Sequence, residues 1–185
     1  MKIHVPSIPA EGKDFHFDAT TVAFLPLLQT RLSDLAELSD SSQADIQLAR
    51  TGQNVSLSGM LDLTLKTHCA RCNSAFDLKL QIPLTHHLVP YFGKPSSSLD
   101  EDEEGLELSS DDLDFSFYHG EEIDLFEILA EEALLHQPIT YLCQEDCKGL
   151  CPDCGINLNQ ETCRCGESRK NSPFATLKNF KIDSR

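Results

Sequence analysis

The thiols restrict the possible folds of this chain more than any other feature. Six of its eight cysteines lie in one stretch, CQEDCKGLCPDCGINLNQETCRC, from Cys143 to Cys165, and the other two form CARC, Cys69 to Cys72. A C-x2-C turn can aim two sulfurs at one centre, and the residue after its second cysteine often needs a positive φ. Gly155 meets that need after Cys154, so CPDCG reads as a zinc knuckle. After Cys72 the place is taken by Asn73, which also tolerates the left-handed region. A closed structural zinc site takes four ligands in a tetrahedron and favours sulfur. Eight cysteines therefore make two such sites with none left over. Cys151, Cys154, Cys163 and Cys165 form a compact set: a knuckle, the loop GINLNQET and a C-x-C return. Cys143 and Cys147 then lack two ligands, and only Cys69 and Cys72 remain to supply them. The expected cofactor is Zn²⁺, two per chain. One site lies wholly in the C-terminal segment and the other clamps that segment to CARC.

Other uses of the cysteines are weaker. A thioredoxin-like redox pair places one C-x2-C at a helix N-terminus beside a βαβ unit, whereas CARC falls between strand patterns and CPDCG follows no parallel-strand pattern. An iron–sulfur cluster also takes four thiolates and stays open. A catalytic zinc keeps an open position; His68 beside Cys69 is available as a ligand, but an eight-thiol set does not require it. His86 and His87 read as strand surface. No Ser-His-Asp order, phosphate loop or distinguishable carboxylate pair appears, so a non-enzymatic role is expected.

The remainder of the chain reads as an α+β domain. MKIHVPSIP alternates apolar and polar residues like an edge strand, and Leu27, Leu28, Leu32, Leu35 and Leu38 suggest a short helix over 27–38. From Ala44 the period is two. Val55, Leu57, Leu61, Leu63 and Leu65 share one strand face, with a bulge expected at Gly59, and Phe76, Leu78, Leu80, Ile82 and Leu84 share the next. CARC sits at the tip of this hairpin. EEIDLFEILAEEALLHQP is the clearest helix: Asp124 caps it, Glu127 completes a capping-box pattern, and Pro138 stops it. The expected architecture is an antiparallel β-meander covered by this one main helix, with a C-terminal cysteine-rich zinc-binding module. The expected division is 1–142 for the α+β domain, 143–168 for the zinc module, and 169–185 for a basic tail with a short helix begun by Ser172-Pro173.

Charge is strongly segregated. Residues 95–147 carry no Lys or Arg and seventeen Asp or Glu, whereas residues 148–185 carry seven Lys or Arg and four Asp or Glu. The segment 94–114, KPSSSLDEDEEGLELSSDDLD, reads as a solvated, disordered acidic loop. Arg71, Lys148 and Arg164 lie within or beside the cysteine groups; offsetting thiolate charge, simple solvation and phosphate contact are all open to them. No run approaches the roughly 18 apolar residues of a membrane span. The first residues show neither an apolar signal core nor a small-residue cleavage site, so a cytoplasmic location is expected.

With CARC between long strands, the helix begun by EIDL, CQEDCKGLCPDCGINLN and the closing PFATLK taken together, the chain resembles the YceD family of bacterial and plastid proteins. That resemblance implies ribosome biogenesis, namely accumulation and processing of large-subunit 23S rRNA. It implies rRNA or a pre-ribosomal particle as partner, and a large-subunit ribosomal protein as a further candidate. Neither a membrane nor a small-molecule substrate is expected. Candidate phosphate contacts are then Arg71, Lys148, Arg164, Arg169, Lys170, Lys178 and Lys181. The alternatives are a protein-binding assembly factor that touches RNA little, in which the acidic loop docks on a basic ribosomal protein, and a thiol redox or metal-responsive protein. Some family members lack the CPDCG knuckle and the C-x-C return, which fits two separable sites.

Overall fold

The computed structural model describes residues 1–32, 36–91 and 115–165. The acidic segment and the tail with Arg169, Lys170, Lys178 and Lys181 lie outside the described residues. The chain divides into two compact units: Met1–Thr67 with Phe76–Ile139, and His68–Ala75 with the chain from Thr140.

The first unit is α+β with a mostly sheet core and two helices. Its main sheet contains Lys13–Phe17 (β2), Ala36–Leu38 (β3), Gln43–Thr51 (β4), Asn54–His68 (β5), Ala75–Pro90 (β6) and Phe115–Tyr118 (β7), in the order β2-β4-β5-β6-β7 with β3 paired to β5. Lys2–His4 (β1) and Glu122–Asp124 (β8) form a separate antiparallel pair. The period-two pattern is visible in the burial. Val55, Leu57, Leu61, Leu63 and Leu65 are buried on β5, as are Ile82, Leu84 and Leu88 on β6, while the intervening residues are mostly exposed.

Several expectations change. β7 runs parallel to β6, with His87 opposite Phe115, so the sheet is not an antiparallel meander throughout. Gly59 makes no bulge against β4: β4 and β5 pair one to one from Gln43–Asp62 to Thr51–Asn54. Glycine is required there by close approach, since a Cβ would stand 2.1 Å from the Asp45 carbonyl oxygen. The early helix spans Phe24–Arg31 (α1), not 27–38, and Leu38 belongs to β3. Pro26 is tolerated because it falls in the first turn, where N–H groups have no intrahelical acceptor.

Two helices share the work expected of one. Leu125–Leu135 (α2) buries Leu125, Phe126, Leu129, Ala130 and Ala133, and α1 buries Phe24 and Leu28. Phe126 meets Phe17 of β2 edge to face at 5.1 Å between centroids and Phe24 at 5.9 Å. Asp124 caps α2 by accepting from the Glu127 N–H at 3.4 Å. The Glu127 carboxylate pairs with Arg31. His86 is not strand surface: it lies on the inner side of β6, largely covered, with its Nε2 3.2 Å from the Glu132 carboxylate.

Candidate metal centre

The described residues of the second unit bury few apolar side chains: Cys69, Cys72, Tyr141, Cys147 and Cys151, four of them thiols. Its shape comes from turns and cross-links between short segments. The two C-x2-C turns are built alike. The Asn73 N–H donates to the Cys69 carbonyl at 2.8 Å, and the Gly155 N–H donates to the Cys151 carbonyl at 2.9 Å. Asn73 and Gly155 take φ of 56° and 75°, as a residue following such a turn must. The CARC turn is joined to the later segment by Ala70 N–H to the Tyr141 carbonyl, 2.8 Å, and Leu150 N–H to the Arg71 carbonyl, 3.0 Å. Leu150 and Asn157 form a β-bridge that closes the second turn.

These links gather the eight thiols into two groups of four, and within each group the sulfurs lie within 4.8 Å of one another. Cys69, Cys72, Cys143 and Cys147 form the first, with Cys69–Cys147 and Cys72–Cys143 both at 3.7 Å. Cys151, Cys154, Cys163 and Cys165 form the second, with Cys154–Cys163 at 3.6 Å and Cys151–Cys163 at 3.3 Å. A disulfide would hold its sulfurs at about 2.05 Å. Four sulfurs at about 2.3 Å from a zinc ion lie about 3.8 Å apart along the tetrahedron's edges. The separations match the tetrahedron, so both groups fit a metal ion. The first group is the more enclosed: Cys69, Cys72 and Cys147 are 2–4% exposed, whereas in the second Cys151 is buried, Cys154 is exposed and the other two are half-buried.

A family model described as large ribosomal RNA subunit accumulation protein YceD matches residues 57–181, a span that takes in both thiol groups. The chain belongs to the YceD family. Uncharacterized proteins of Mycobacterium tuberculosis and Mycobacterium bovis are each 30% identical to it over 117 residues, which is 63% of this chain and 51% of theirs. The chloroplastic large ribosomal RNA subunit accumulation protein YCED homolog 1 of Arabidopsis thaliana is 37% identical over 60 residues, 32% of this chain and 19% of that protein. The chain thus spans about half the length of the mycobacterial relatives and less of the plant one. No solved structure matches it.

Electrostatics in the YceD-family thiol groups explain why a cation suits them. Burial opposes ionisation of Cys69, but the backbone N–H groups of Cys143, Cys72 and Arg71 face its sulfur and bring its pKa down to about 6. The Cys154 and Asp153 N–H groups bring Cys151 down to about 6. One thiol of each set is driven the other way. Burial and the neighbouring sulfurs raise Cys143 to about 12, and hydrogen bonding with Cys163 and Cys154 raises Cys165 to about 12. Each group thus carries some negative charge readily and refuses the rest. A divalent ion removes that conflict, because a coordinated thiol is deprotonated outright.

The cations fall out unequally. The Arg71 Nη1 donates to the carbonyls of Glu145 at 3.2 Å and Cys147 at 3.1 Å, so this side chain braces the Cys143–Cys147 loop. Lys148 and Arg164 are exposed. Two residues that sequence reasoning missed connect the groups. The Asn159 Nδ2 donates to the Cys147 sulfur at 3.3 Å, and its Oδ1 accepts from the Lys148 N–H at 2.8 Å. The Asn157 Nδ2 donates to the Ser74 hydroxyl at 3.1 Å, while its Oδ1 accepts from the Asn159 N–H at 3.0 Å. The alternation in INLN was the available signal, two amides at i and i+2 directly after a knuckle.

Proposed function

We propose that this chain is a non-enzymatic, cytoplasmic zinc protein of ribosome biogenesis that supports 23S rRNA accumulation by binding rRNA or a pre-ribosomal particle. The carrying observation is the family match over residues 57–181, together with two four-sulfur groups of tetrahedral size inside that span. The proposed ligands are Cys69, Cys72, Cys143 and Cys147 for one Zn²⁺, and Cys151, Cys154, Cys163 and Cys165 for the other. Zinc here is structural: with all four positions taken by sulfur, none is left for water or substrate. The metal holds a small surface in shape, and Lys148, Arg164 and the tail cations Arg169, Lys170, Lys178 and Lys181 supply phosphate contacts around it. The test is binding of a 23S rRNA fragment at several salt concentrations. Contact with Z phosphates gives a slope of roughly −0.7Z to −0.9Z in log K against log salt. Charge reversal at Arg169 and Lys170 should flatten that slope; binding that ignores both salt and charge reversal refutes direct RNA contact.

A second reading, a factor that docks on a basic protein, is favoured by two observations. The described part of the second unit offers Arg71, Lys148 and Arg164 against Glu145, Asp146, Asp153 and Glu161, a weak basic footprint. In the first unit a groove of about 440 Å³ is lined by Phe117, Tyr118 and Ile128 together with Lys2, Glu122, Asp124, Glu127 and Glu131, of which Glu122 pairs with Lys2, Asp124 with the N-terminal ammonium and Glu127 with Arg31. Binding of a basic ribosomal protein in the absence of RNA, lost on reversal of Glu122 and Glu131, would favour this reading over the first.

A further inference from the structure

The two thiol groups are not independent neighbours. The loop between the CPDCG knuckle and the C-x-C return belongs, by its covalent ends, to the second group. Yet its asparagines spend their side chains on the first. The Asn159 amide donates to the Cys147 sulfur and also, at 2.9 Å, to the Asn157 Oδ1, while its own Oδ1 fixes the Lys148 N–H directly after Cys147. Asn157 reaches the CARC turn through the Ser74 hydroxyl, two residues after Cys72. The loop backbone is held for this task. Gln160 and Glu161 N–H groups both turn back to the Asn157 carbonyl, and the Leu158 N–H donates to the Gly149 carbonyl at 2.9 Å. Resting on the reading of both groups as metal sites, we infer that Asn159, seated by Asn157, is a positioning residue that couples them: closing the Cys151–Cys165 site presents an N–H donor to a ligand of the Cys69–Cys147 site.

The physics gives the coupling its sign. A metal-bound thiolate keeps excess negative charge on sulfur, and an N–H donor stabilises it. Before the second site closes, the loop must be ordered at the expense of the bond; afterwards the donor is already in place, so the first site binds metal more tightly. Linkage makes the effect reciprocal, so filling the first site also favours the second. Outer-shell partners of this kind change metal affinity by roughly 10–100-fold. An enclosed site braced by an exposed one gives the module graded behaviour: loss of metal from the outer site loosens the inner one before the inner ligands are touched.

The full chain loaded with ¹¹³Cd tests this by NMR, beside zinc withdrawal by a chelator. The resonances are assigned with Cys69→Ser/Cys72→Ser and Cys163→Ser/Cys165→Ser. Asn159→Asp keeps an acceptor for the Lys148 N–H but loses the amide donor, so the inner-site resonance should move while the outer one stays. Inner-site zinc affinity should fall roughly 10–100-fold in Asn159→Ala, and should also fall in Cys163→Ser/Cys165→Ser, which leaves all inner ligands in place. Combining the two should cost no more than about twofold beyond the larger single effect, because both break one connection. An inner site indifferent to loss of the outer one, or losses that simply add, would overturn the coupling. So would an unmoved inner resonance in Asn159→Asp.

Discussion

Gly149→Ala should be the most informative single substitution in the cysteine unit, because its cost separates into two parts that a control can divide. Gly149 has φ +77°, and a Cβ there would lie 3.1 Å from the Arg71 carbonyl oxygen and 3.5 Å from the Arg71 Cβ. An L-residue in the left-handed region costs roughly 1–2 kcal/mol. The close contact forces the strand of chain after Cys147 away from CARC, at the point where the Leu150 N–H reaches the Arg71 carbonyl. Losing that hydrogen bond adds roughly 0.5–1.5 kcal/mol. The sum, about 1.5–3.5 kcal/mol, corresponds to roughly 10–400-fold in affinity at the Cys69–Cys147 site, since metal binding and ordering of the site are one process. Gly155 is the control: its φ is +75°, and nothing lies within 4 Å of its would-be Cβ. Gly155→Asn should therefore be near neutral for zinc affinity, because asparagine accepts that φ. Gly149→Asn should still weaken the inner site, because the crowding against Arg71 remains. Chelator competition with the two sites resolved by the paired cysteine variants gives both numbers. Equal, small effects of asparagine at 149 and 155 would refute the claim that close packing of Gly149 on the CARC turn holds the inner site.

Metal analysis should find two zinc per chain, with one lost in Cys69→Ser/Cys72→Ser and one in Cys163→Ser/Cys165→Ser; the second variant should leave the sheet's circular dichroism unchanged. Zinc binding should release fewer than four protons per site at pH 7 and approach four as the pH falls below about 6. Cys69 and Cys151, each lowered to about 6, are already thiolates at neutral pH, and Cys143 and Cys165, raised to about 12, are not. The same signs apply to the metal-free fold. The lowered thiols favour it above their ordinary pKa and lose that contribution as pH falls through about 6, while the raised thiols favour it below theirs and lose it as pH climbs toward 12; calorimetry in buffers of different ionisation enthalpy measures the proton count. Gly59→Ala should destabilise the sheet unit by more than about 3 kcal/mol in urea, the class of effect reserved for severe steric conflict, whereas Gly52→Ala, with open space and φ +66°, should cost only about 1–2 kcal/mol. Asp124→Ala should cost about 1 kcal/mol by removing the cap of α2.

The grouping of the thiols was legible because elimination left one solution: ligand number is fixed by the metal, and spacing assigns four cysteines to the tail. The positive φ of Asn73 and Gly155 was legible for the same local reason. Strand faces on β5 followed from period two, which survives whatever the strands pair with. What escaped were features decided by residues far apart in sequence. The parallel pairing of β7 with β6 depends on where the chain returns after residues 92–114, and nothing in FSFY encodes direction. The need for glycine at 59 is set by Asp45 across the ladder. The inward face of His86 is plain from its even spacing with Ile82 and Leu84, but a histidine on an inner face becomes tolerable only once Glu132 of α2 is beside it. Arg71 looked free for phosphate; its actual partners are carbonyls of the loop it faces across more than seventy residues of sequence.

Among the described residues, buried apolar side chains are distributed unequally between the two units. In the first unit β4, β5 and β6 bury one face each and α1 and α2 bury Phe24, Leu28, Leu125, Phe126 and Leu129, and burial of that area drives ordering. In the second unit Leu150 is 40% exposed, and Ile156 and Leu158 are only half-buried. The positions a small core would assign to leucine are held by Cys69, Cys72, Cys147 and Cys151. Burying four thiols contributes modestly when they are protonated and carries a penalty when they ionise side by side. A divalent ion changes the sign of that second effect. On the proposed reading, a bound metal would supply much of what orders these described residues, and the surface they present to a partner would depend on metal occupancy. Partner affinity measured across a zinc titration should therefore follow inner-site loading. A partner that binds the metal-free and the loaded protein equally well must be using some other surface.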